Sequence, residues 1–233
     1  MFKQLFDAVS STYTYLIVDD NSRQAAFIDP VAGHIDTYIG LLSELNAQLK
    51  YSIETHVHAD HITASGQLRE KLNIQTAVSA LCGAESADLQ LKEGDILQLG
   101  EQTIRVVATP GHTAGSVSYV WNERIFTGDA LLINGCGRTD FQGGDAGILY
   151  DSITQKIFAM PDETLVYPAH DYHGKRVSCV GQEKSINPRL ANQTREQFIQ
   201  MMNALDLPKP DMIDIAVPLN RLCGVTEENI RQG

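Results

Sequence analysis

A chain of 233 residues has room for one large domain or two small ones, and its 43% hydrophobic and 20% charged residues are the proportions of a soluble globular protein. Lys and Arg number 18 against 29 Asp and Glu, a net charge of −11 without a basic run, which argues against nucleic acid as a partner. No apolar stretch is long enough to span a bilayer, and the opening residues lack the apolar core of a signal peptide while acidic Asp7 argues against a transit peptide, so a cytoplasmic protein off the membrane is expected.

Strand-like runs over 13–18 and 24–29 flank the turn Asp19-Asp20-Asn21-Ser22-Arg23 and read as a hairpin broken by Asp29-Pro30. Residues 34–49 carry Ile35, Tyr38, Ile39, Leu42 and Leu45 at helical steps. A strand over 49–54 delivers a histidine-rich segment, and 61–72 reads as a helix. Further strands are expected over 103–108, 116–121 and 124–126. A helix over 147–160 follows, then a strand over 164–167 and an amphipathic helix over 193–205. Its Met201 and Met202, on one face with Phe198 and Leu205, read as core. Short strands alternating with helices indicate a mixed α/β architecture with chemistry at the sheet rim. The expected organisation is a single domain over 1–233 with a short C-terminal extension from about 188.

Thr55-His56-Val57-His58-Ala59-Asp60-His61 concentrates ligand-type residues: of seven histidines in the chain, three fall in this run. His112 in Pro-Gly-His-Thr, Asp129 in Thr-Gly-Asp and His170 in Pro-Ala-His follow, each at the end of an expected strand. Imidazole and carboxylate suit zinc, iron or manganese. Such polar residues would be costly to bury between a strand and a helix without metal or hydrogen bonds to satisfy them. His34, alone at a helix start, reads as structural. Cys82, Cys136, Cys179 and Cys223 are scattered without a Cys-x-x-Cys pair, so free thiols are expected rather than a structural zinc site.

In order and spacing, His56-x-His58-x-Asp60-His61, His112, Asp129 and His170 resemble the motif set of the metallo-β-lactamase superfamily. That resemblance implies an αββα sandwich of two mixed β-sheets flanked by helices, with a metal site at one edge. Two relatives share all seven positions: glyoxalase II, a dinuclear thioester hydrolase, and the persulfide dioxygenases, mononuclear iron enzymes. Gly135-Cys136-Gly137-Arg138-Thr139-Asp140-Phe141 is similar to the dioxygenase loop. So are Pro168-Ala169-His170-Asp171-Tyr172-His173-Gly174, Asn187-Pro188-Arg189-Leu190 and the tail with Ala216-Val217-Pro218-Leu219-Asn220. The longer helical C-terminal domain of glyoxalase II has no room after His170.

Carried over, the resemblance implies one Fe(II) per chain on His56, His112 and Asp129, a 2-His-1-carboxylate triad with open positions. His58, Asp60, His61 and His170 would hold those ligands by hydrogen bonds. The implied reaction takes glutathione persulfide, O2 and water to glutathione and sulfite. Arg138, Asp140, Tyr172, Lys175 and Arg176 are the candidates for contact with the tripeptide. The family also suggests a homodimer. A glyoxalase II-like hydrolase is the alternative, because the same seven residues hold two metals there. A non-enzymatic metal- or persulfide-binding protein is disfavoured by the complete ligand set.

Overall fold

The computed structural model describes residues 1–225 of the chain. Its strands form two six-stranded sheets, β1-β2-β3-β4-β5-β6 and β12-β11-β10-β9-β8-β7. In the first, β1 (Phe2–Asp7), β2 (Thr12–Val18) and β3 (Gln24–Ile28) pair antiparallel, and β4 (Gln48–Ile53), β5 (Gln75–Ser79) and β6 (Leu89–Leu91) continue it in parallel. In the second, β7 (Ile96–Leu99) and β8 (Gln102–Ala108) precede β9 (Val117–Trp121) and β10 (Arg124–Gly128). Neighbours β8, β9 and β10 are antiparallel, β11 (Leu165–Pro168) is parallel to β10, and β12 (Ser178–Cys179) closes that edge antiparallel to β11. Two mixed sheets with helices are the expected architecture.

Residues gather into two compact units, 1–91 with 97–103 and 209 onward, and 92–96 with 104–208. The segment expected as an extension is thus divided at 208. In the first unit, Leu16, Val18, Ala25 and Phe27 of the sheet pack on Ile35, Tyr38 and Leu42 of α1 (Ile35–Glu44) and Leu68 of α2 (Ser65–Leu72). In the second, Ile125 and Val166 pack on Leu149 of α3 (Ala146–Ser152), Val180 of α4 (Val180–Ile186) and Phe198 and Met202 of α5 (Arg195–Asn203). Met202 is core, as its spacing indicates.

The helix ends differ from the periodicity for local reasons. Helix α1 stops before 49 because Asn46 adopts a left-handed φ of 46°, and Gln48 already pairs in β4. Helix α2 starts at Ser65 rather than 61, since Ala64 N–H is drawn to the Pro30 carbonyl (2.7 Å) and the Ile62 carbonyl accepts from Ala32 (2.9 Å). After α3, capped by Asp145 at the Ile148 N–H, the chain continues as a π turn over Ile153–Ile157. Helix α6 (Ile213–Arg221) contains Pro218 and belongs to the first unit. Among the described residues no helix is long and apolar enough to cross a membrane.

Candidate metal centre

In the first unit β4 ends at Ile53 and delivers Glu54, Thr55 and the histidine run into a buried loop. Asp29, just past β3, organises its start. The Thr55 N–H donates to Asp29 Oδ1 (2.7 Å) and the Thr55 hydroxyl to Oδ2 (2.8 Å). With its proton committed there, Thr55 Oγ1 accepts from His56 Nδ1 at 2.9 Å. The proton therefore sits on Nδ1, and His56 Nε2 keeps the lone pair that a metal requires.

His58 stacks between its neighbours, ring centroids 4.1 Å from His56 and 4.4 Å from His61. Its Nε2 lies 3.2 Å from Asp29 Oδ1 and 3.4 Å from Glu54 Oε2. Burial alone would suppress charge on this imidazole, but the carboxylates of Asp29 and Glu54 outweigh it and push the pKa up to about 10. The other oxygen of Glu54 accepts from the Thr63 and Ser65 hydroxyls. Asp60 Oδ2 meets His61 Nδ1 at 2.9 Å and the Thr12 hydroxyl at 3.2 Å. One donor atom each from His58, Asp60 and His61 lies within 4.8 Å of the others, as do donors from Asp29, Glu54 and His58.

In the second unit His112 follows β8 and Asp129 follows β10. His112 Nδ1 donates to the Arg138 carbonyl at 2.6 Å, which turns Nε2 toward Asp129. That Nε2 stands 3.6 Å from Asp129 Oδ2, while Asp129 Oδ1 meets His170 Nδ1 at 2.7 Å. A separation of 3.6 Å is too long for a hydrogen bond. It is slightly wider than the roughly 3.0–3.4 Å between two neighbouring ligands on one ion with bonds of about 2.1 Å, so a small inward shift would bring both atoms onto one ion. The donor set and the fixed tautomers of both imidazoles therefore fit a divalent transition metal.

Gly137 makes this corner possible. Its N–H donates to the Asp129 carbonyl at 2.7 Å, and a Cβ there would lie 2.4 Å from that oxygen and 2.7 Å from His112 Nδ1. Cys136 beside it is buried, and burial pushes its thiol up to about 12, a small core residue rather than a nucleophile.

The candidate substrate residues fall on two segments of the chain. Arg138 forms a fork with Asp140 (2.6 Å at both nitrogens), donates to the carbonyls of Pro208 (2.7 Å) and Leu207 (3.2 Å), and covers the Phe141 ring at 4.7 Å. Tyr172 is exposed with its ring parallel to that of His170, centroids 6.2 Å apart. Lys175 and Arg176 lie on the same exposed loop, which Asp171 braces by accepting the N–H groups of His173 and Lys175. His34, read as structural, pairs with Asp7 at 2.9 Å. Sequence reasoning missed the parts played by Asp29, Glu54 and Thr55, which it treated only as strand-end residues. Their one signal was a run of polar residues directly after apolar strands.

Against known proteins, residues 8–170 match the model of the metallo-beta-lactamase superfamily. The chain is 50% identical over 228 residues to the persulfide dioxygenase ETHE1, mitochondrial, of Mus musculus, covering 97% of this chain and 89% of that protein. The Homo sapiens protein of the same name matches with the same identity and coverage. The crystal structure of ETHE1 from Myxococcus xanthus superposes with a TM-score of 0.95 at 52% identity, covering 97% of this chain and all of that one.

Proposed function

The chain belongs to the persulfide dioxygenases of the metallo-β-lactamase superfamily, and from that premise we propose that it oxidises glutathione persulfide at a single ferrous iron held by His56, His112 and Asp129. The observation that carries the ligand set is the paired tautomer control: Thr55 and the Arg138 carbonyl each hold an imidazole Nδ1–H, leaving both Nε2 atoms as ligands. His56, His112 and Asp129 would hold the iron, which would supply the oxygen chemistry that side chains lack.

The rest is the work of the protein. His170 fixes one oxygen of Asp129 so that the other is presented with His112. His58, Asp60 and His61 form the packed wall beside His56, with His58 held by the carboxylates of Asp29 and Glu54. Tyr172, Lys175 and Arg176, with Arg138 and Asp140, receive the tripeptide, whose two carboxylates call for basic groups. The overall reaction is glutathione persulfide plus O2 plus water giving glutathione, sulfite and two protons. The cytoplasmic setting and the homodimer belong to this same reading.

A second reading has one observation in its favour: the His58, Asp60 and His61 donors also cluster within 4.8 Å, where a second metal would sit in a thioester hydrolase. Against it, His58 Nε2 already faces two buried carboxylates. Oxygen uptake on adding glutathione persulfide to anaerobically iron-loaded protein, with metal counted on the same sample, separates the two. One iron per chain with sulfite appearing in step is the expected result. Two metals per chain, no uptake and cleavage of S-lactoylglutathione would replace the dioxygenase with the hydrolase.

A further inference from the structure

The histidine loop is held from behind by a residue nearly 160 positions away in sequence. Asn220, in the last turn of α6, is buried, and its amide is used on both sides. Nδ2 donates to the His58 carbonyl (2.9 Å) and the His61 carbonyl (2.8 Å), while Oδ1 accepts the Thr63 N–H (2.9 Å). A loop that leaves a strand has no ladder to satisfy its backbone, and buried carbonyls left without donors would be costly. Here one side chain from the tail substitutes for that ladder at three points.

The tail is fitted to the loop beyond this amide. The Gly66 N–H donates to the Cys223 carbonyl at 2.7 Å. Gly224, at φ +78°, passes so close that a Cβ would lie 2.1 Å from the Thr63 carbonyl oxygen. Asn220, Cys223 and Gly224 thus brace residues 58–66 along their backbone.

We propose that Asn220 is a positioning residue for the metal centre: its amide sets the backbone path of His58 and His61, and through it the presentation of His56. This rests on the reading of the histidine loop as metal-bearing. Asparagine is specified because the task needs two donors and one acceptor in a single planar group. Aspartate keeps the shape and the Thr63 contact but turns an acceptor toward two carbonyl oxygens. Alanine removes all three bonds without adding repulsion.

The test compares Asn220→Asp and Asn220→Ala with Ile213→Ala, a buried apolar truncation in the same helix. Each full-length protein is titrated with Co(II) against a chromophoric chelator, well below its Tm, and the Co(II) absorption bands are recorded. The Asn220 variants should lose affinity by roughly 10- to 100-fold and show altered bands. Ile213→Ala should lower Tm yet bind Co(II) like the wild type. Wild-type affinity and spectrum in Asn220→Ala, or an equal loss in Ile213→Ala, would reduce Asn220 to ordinary helix packing. Failure of the underlying reading looks different: wild-type protein would then bind no metal. A wild type that bound metal but consumed no oxygen would remove the dioxygenase and leave this inference standing.

Discussion

Arg138 shows how one side chain divides its hydrogen bonds between scaffold and substrate. Its Nε and one Nη2 hydrogen go to Asp140, the other Nη2 hydrogen to Leu207 and one Nη1 hydrogen to Pro208. The guanidinium beside Asp140 holds that carboxyl below its usual range, and Asp140 raises Arg138 in turn, so both stay charged across the working pH range. What remains for a tripeptide carboxylate is a single Nη1 hydrogen, not a fork. A charge-assisted hydrogen bond of that kind contributes about 1.5–3 kcal/mol. Arg138→Ala is therefore expected to raise KM for glutathione persulfide by roughly 10- to 100-fold, with a smaller change in kcat. Steady-state oxygen uptake measures both. A lowered kcat at unchanged KM would leave Arg138 as a loop clamp that acts through its own carbonyl on His112.

At the scale of elements, α5 offers a clean measure of local stability. Thr194 and Gln197 form a reciprocal capping box at the start of α5, remote from the histidines in sequence. Thr194→Ala should cost about 1 kcal/mol. In a chain of this length that lowers Tm by about 2–4 °C. Calorimetry reads the shift; oxygen uptake at a temperature below the transition should stay at the wild-type rate. Helices of this kind were legible from sequence, because apolar positions such as Phe198, Met202 and Leu205 at helical spacing leave few alternatives. Strands such as β6 with three residues and β12 with two were not, since a run that short carries no period. Pro218 hid α6 in the same way. Within the site, ligand-type residues at strand ends were legible from residue type alone. The contacts that orient them were not: Asp29 meets Thr55 and Asn220 meets His61 through separations of 26 and 159 residues, distances over which no periodicity reaches.

Over the whole molecule, the net charge of −11 and the two exposed cations Lys175 and Arg176 act on an anionic substrate in opposite directions. For one unit of substrate charge in water, the 13 excess negative charges of the rest of the chain, at a distance on the order of 20 Å, repel by ~2.7 kcal/mol. Two cations at about 6 Å attract by roughly 1.4 kcal/mol. The terms are comparable in size but differ in range. Raising ionic strength from about 10 mM to about 100 mM shortens the screening length from about 30 Å to about 10 Å, which suppresses the distant repulsion and spares most of the close attraction. The kcat/KM for glutathione persulfide should therefore rise across that interval. In the double variant Lys175→Glu, Arg176→Glu the absolute value should be lower at every salt concentration and the rise steeper, because both terms now repel. A fall in kcat/KM with salt in the wild type would mean that basic groups govern substrate approach at long range as well, and that the acidic surface lies turned away from the path of entry.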